Sequence, residues 1–157
     1  MKAASVKEIK SALEDQSKDE LITLCLRLSR FKKENKELLT YLLFETQDEN
    51  SYIQSIKLQL DELFATIDTK RLYIAKKNLR KIIRIANRYI KYSSNETTGI
   101  VVLLYVCHQM KFIGIPMQNS TAIQNIYLGL IKKIKSLIVT LHDDLQYDFN
   151  RELDKLM

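Results

Sequence analysis

Apolar side chains in this chain recur mostly at intervals of three, four and seven residues, the spacing that lays them along one face of an α-helix. The best-formed series runs over 70–92, KRLYIAKKNLRKIIRIANRYIKY. At 100° per residue, Leu72, Ala75, Leu79, Ile82, Ile83, Ala86, Tyr89 and Ile90 share one face, which Ile74, Ile85 and Tyr92 widen. Lys70, Lys76, Lys77, Arg80, Lys81, Arg84, Arg88 and Lys91 gather on the opposite arc. A strand would scatter both sets over both faces, so the pattern predicts an amphipathic helix.

The rest of the chain reads the same way. Ser5 caps a short helix to about Leu13, with Ile9 and Leu13 as its apolar contacts. Ser17 and Glu20 have the spacing of a capping box, each satisfying the other's free amide, and open a second helix with Leu21, Ile22, Leu24, Cys25 and Leu28. A bend or new start is expected at 30–34, and a third apolar series runs from Leu38 to Phe44. Polar residues at 46–50 interrupt the pattern, with Asp48 or Ser51 as the next cap.

Tyr52, Ile53, Ile56, Leu60, Leu63, Phe64 and Ile67 then form a helix joined to 70–92 by the tight connection Asp68-Thr69, which predicts an antiparallel pair. Residues 93–95 end the basic helix and cap the next. The stretch 100–110 is almost wholly apolar and reads as a central buried helix, since no other segment offers a strand a partner. Residues 111–119 hold the only proline and one glycine and form a loop. Ser120 or Asn119 caps a long helix from Ile123 to Leu141, and a last helix carries Leu145, Phe149, Leu153 and Leu156.

The expected fold is therefore all-α, with seven or eight antiparallel helices in one domain spanning 1–157. A short HEAT-like stack of helix pairs is the second choice, because no repeat of fixed period is present. Only three Gly and one Pro in 157 residues leave little turn chemistry for hairpins. No apolar run approaches the roughly 20 residues needed to cross a bilayer, and residues 1–10 lack a signal-peptide core. These features predict a cytoplasmic protein without membrane insertion. Cys25 and Cys107 lie in apolar helical stretches and read as buried thiols, not a disulfide.

Charge changes the picture at one place. The segment 70–92 carries nine basic residues and no acid, leaving 16 basic against 19 acidic residues elsewhere, a balance of −3. The net charge of +6 thus originates in one helix. Lys77, Arg80, Lys81, Arg84, Arg88 and Lys91 repeat at spacings where like charges repel, whereas a helix shaped for stability alone intersperses Glu. The leading expectation is a non-catalytic adaptor whose basic face docks an acidic protein surface or mediates self-association. The alternative is RNA or DNA backbone binding through the same residues. A protein partner calls for apolar anchors beside the stripe, and a nucleic acid needs only the charge.

Three stretches, VKEIKSALEDQSKDELITLCLRL, LRKIIRIANRYIKYSSNETTGIVVLLYVC and LHDDLQYDFNREL, together resemble a family of small all-helical bacterial proteins of unknown function. That resemblance implies a single helical domain and transfers no catalytic residue. The opening also resembles the helix–extended–helix start of SAP-type DNA-binding modules, which implies DNA binding by that segment. Gln16-Ser17-Lys18 stands where such modules carry a glycine-containing turn.

Other chemistry is sparse. His142, Asp144 and Asp148 are the candidate metal ligands, but Asp143 and Asp144 also suit helix punctuation, and no metal or other cofactor is expected. Cys107 and His108 are adjacent, which on a helix points them about 100° apart and keeps the base off the nucleophile. Tyr73 lies with the basic arc and Tyr89 with the core.

Overall fold

The computed structural model describes residues 2–157, which form eight α-helices and no strand. They are α1 (Val6–Glu14), α2 (Lys18–Phe31), α3 (Lys33–Thr40), α4 (Glu49–Ala65), α5 (Leu72–Ser93), α6 (Glu96–Phe112), α7 (Thr121–Ile138) and α8 (Asp143–Asp154). The chain is all-α, as the periodicity predicts. Its contacts group into two compact units, one ending at Phe44 and one spanning Glu45–Met157.

In the first unit, Ser5 and Ser17 each complete a capping box, with Glu8 and Glu20 reaching back to the cap amide. Lys32 is extended (φ −142°, ψ 146°) and breaks the helical path where the bend is expected. The Asn35 side chain donates to the Leu28 carbonyl at 2.9 Å across that break, so α3 folds back along α2. A π-helical turn at Tyr41–Glu45 follows α3, which the pattern did not foretell. No residue of α1, α2 or α3 is buried. Cys25 is exposed, which corrects its reading as a core thiol: helix periodicity marks an apolar face without saying whether a neighbour covers it.

The second unit is a five-helix bundle. Asp48 caps α4 by accepting from the Ser51 amide at 3.0 Å. The Tyr52 hydroxyl, near the start of α4, donates to the Tyr89 carbonyl near the end of α5 at 2.9 Å, which fixes the two as the antiparallel pair. The connection closes on Asp68, whose carboxylate accepts from the Lys70 amide at 2.9 Å. As a result α5 starts at Leu72, two residues later than its charge pattern suggests. Ser94 ends α5 in the left-handed conformation (φ 54°), and Asn95 then caps α6 through the Thr97 amide.

Helix α6 is central, touching α4, α5, α7 and α8. Val102, Leu103, Val106, Cys107 and Met110 are completely buried. Opposite them stand Leu60 of α4, Leu79, Ile82 and Ala86 of α5, and Ile123 and Ile134 of α7. Gly99 lets α6 approach α5, because a Cβ there would stand 3.3 Å from the Ile90 side chain. Buried Tyr127 ties the segment after α8 to α7 by donating to the Leu156 carbonyl at 2.7 Å, and Leu153 of α8 is buried.

Candidate basic interface on the fifth helix

The buried face of α5 (Ala75, Leu79, Ile82, Ala86) is held by α4 and α6, and this sets which residues face out. Lys77, Arg80, Lys81, Arg84 and Lys91 are all exposed. From Lys77 to Lys91 they span about 21 Å of helix axis. Among the described residues no carboxylate pairs with any of these five, so acidic faces elsewhere in the bundle do not neutralise them. Arg88 departs from the group: it is half-buried, with its guanidinium 5.4 Å from the Tyr89 ring centre. Lys76 is half-buried too, over the Tyr73 ring at 5.2 Å. The wheel puts Lys76 only about 40° from Leu72, at the border of the apolar face.

Tyr73 is the aromatic residue of this surface, 77% exposed at the N-terminal end of the stripe. Tyr73, Asn78 and the cations between Lys76 and Arg84 line an open trough of about 610 Å³. Tyr89 is half-buried, and its hydroxyl donates to Gln59 at 2.6 Å, so it belongs to the packing of α5 on α4. The structure adds a cation that the helical pattern alone misses. Lys133 of α7 is exposed and donates to Asn87 of α5 at 2.6 Å, beside the stripe. The run Ile131-Lys-Lys-Ile134 is basic in sequence, but only the packing of α7 reveals its neighbour.

A second concavity of about 770 Å³ lies where α4, α6 and α8 meet. Its walls include Val101, Leu104, Phe112, Phe149 and Leu156, with Lys57 and Lys111 among the polar groups. Tyr105 donates to Asp61 at one side, and Gln109 donates to both at 2.8 Å. His108 stacks on Phe112 with centroids 6.3 Å apart and is exposed. Cys107 points into the core, where burial pushes its thiol up to about 12. The two therefore form no nucleophile–base pair.

His142 occupies the N-cap position of α8 without a capping side-chain bond, and its Nδ1 lies 3.8 Å from Asp144, both groups open to solvent. Asp148 is also exposed. Among the described residues no cluster of three His, Cys, Asp or Glu could hold a metal ion. Among the described residues no helix is long and apolar enough to cross a membrane.

The chain matches no protein-family model, no curated protein and no solved structure. Its functional reading rests on the geometry just described.

Proposed function

We propose that α5 is a polyanion-docking surface that engages the phosphate backbone of nucleic acid, and that the protein is a non-catalytic binding module. What carries this reading is the row Lys77, Arg80, Lys81, Arg84 and Lys91, exposed and without acidic partners among the described residues. Fixed cations spaced along a helix release condensed counterions when they meet phosphates, and this term needs no apolar contact. An acidic protein surface is the less favoured partner. Protein interfaces concentrate their energy in desolvated aromatic or Arg-centred clusters, and the stripe offers one exposed aromatic, Tyr73, at its end. That position suits stacking on an unpaired base, so single strands are favoured over duplexes. Lys133 broadens the cationic area beyond one helix.

The test is a fluorescence-anisotropy titration of single- and double-stranded RNA and DNA oligonucleotides at several salt concentrations. Neutralising several phosphates gives a log–log slope against salt of about −3 or steeper. An Arg80→Glu/Arg84→Glu variant, with wild-type helicity by circular dichroism, is expected to lose most of that affinity. Tyr73→Ala is expected to weaken single-strand binding with little effect on the salt slope, because stacking is not ionic. Absence of binding at low salt, or full binding by the charge-reversed variant, overturns the proposal and moves an acidic protein to first place.

A further inference from the structure

The first unit has an unusual surface. Eleven large apolar side chains before Glu45 are exposed, among them Val6 (84%), Leu28 (60%), Phe31 (76%) and Phe44 (78%). Yet the segment is written for order, with two complete capping boxes and the Asn35–Leu28 clasp between α2 and α3. Helices this short are marginal in water unless an apolar face is covered. A segment of about 40 residues rarely sustains a fold without a staple or a partner.

We infer that this unit is a self-association surface whose occupant is the same unit of a second copy. Two observations select a second copy. First, the unit carries both halves of a complementary contact: a groove of about 270 Å³ between α2 and α3, lined by Cys25, Leu28, Leu38, Leu39 and Leu42, and the projecting Phe31 one turn beyond Leu28. A two-fold interface requires one patch to hold knob and hole together. Second, residues 1–44 hold nine basic and seven acidic side chains, interspersed, so two copies meet without strong repulsion. Pairing through α5 would oppose seven cations to seven with no acid between them. Self-association is thus assigned to the first unit and not to the basic helix. The inference is independent of what α5 binds, although a dimer carries two basic stripes and gains avidity for a long polyanion.

Sedimentation of the full chain over the micromolar range tests this. The expected result is a reversible, concentration-dependent species of twice the chain mass. A Leu28→Glu/Phe31→Glu variant, altered only at exposed positions, is expected to weaken association at least tenfold. Phe112→Glu, equally exposed but on α6, is expected to leave association unchanged. A second readout needs no variant. Cys25 is the exposed thiol and Cys107 is buried, so maleimide reports on the groove alone. Labelling of Cys25 is expected to slow as protein concentration rises. A single-chain mass throughout, association unmoved by the double variant, or a labelling rate independent of concentration each overturns the inference.

Discussion

At the scale of single residues, most of what joins the bundle is apolar, and one buried polar contact stands out. Thr98 lies at the first turn of α6 and is buried, and its hydroxyl donates to the Glu49 carboxylate at the start of α4. The Ser93 hydroxyl donates to the same oxygen at 2.6 Å. Three elements, α4, the end of α5 and the start of α6, therefore converge on one carboxylate. Thr98→Val keeps the shape but removes a donor from a charged acceptor, which is expected to cost about 1–3 kcal/mol. The measurement is a urea unfolding midpoint, and an unchanged midpoint would show that Glu49 is satisfied without Thr98. No spacing rule discloses this contact, because Glu49 and Thr98 are 49 residues apart. The same limit explains Arg88 and Cys25. The wheel turned one outward and suggested burial for the other, but a helix's true buried arc is set by the neighbours it meets.

At the scale of elements, sequence legibility follows how local the determining interaction is. The Ser5 cap and the Ser17/Glu20 box were readable because their bonds close within four residues, and the structure completes the Ser5 cap into a second box with Glu8. The break near Lys32 was signalled by charge density, but the π-helical turn at Tyr41–Glu45 carries no Pro, Gly or cap to announce it. These boxes also make the first unit sensitive to acid. Glu8 and Glu20 accept hydrogen bonds from the serine side chains foremost and from their backbone amides next, and both carboxyls are held below the ordinary value of 4.5. A carboxyl depressed in the folded state contributes stability that is fully present above 4.5 and disappears as pH falls through its lowered value. Helicity at the starts of α1 and α2 is therefore expected to fray below that point. The buried core of α6 carries no carboxylate and should hold. Amide exchange at Glu8 and Glu20, followed from neutral pH downward, reads this directly. Uniform protection across the range would rule out the boxes as the acid-labile element.

At the scale of the whole molecule, the two units differ in where their stability comes from. Among the described residues, the buried apolar side chains before Glu45 number one, Tyr41, and the others belong to the second unit. Overall class and the central role of the 100–110 stretch were legible because a fully apolar helix has to be enclosed. The sparse core of the first unit was not, since Leu21 to Leu28, with only Thr23 and Arg27 polar, is as apolar as a covered helix. A chain beginning at Glu45 is therefore expected to fold and unfold cooperatively with heat. It should show the proposed salt-dependent binding to nucleic acid as fully as the whole chain does, because Lys77 to Lys91 and Lys133 all remain. It should also sediment as a single chain. The complementary peptide, residues 1–44, is expected to show little helix when dilute, because short helices without a covered face are marginal. Its ellipticity should deepen with concentration as copies pair. A non-cooperative melt of the longer fragment would mean that the bundle's core is incomplete without the first unit. Concentration-independent ellipticity in the peptide would instead leave the apolar face of α2 and α3 to a partner other than itself.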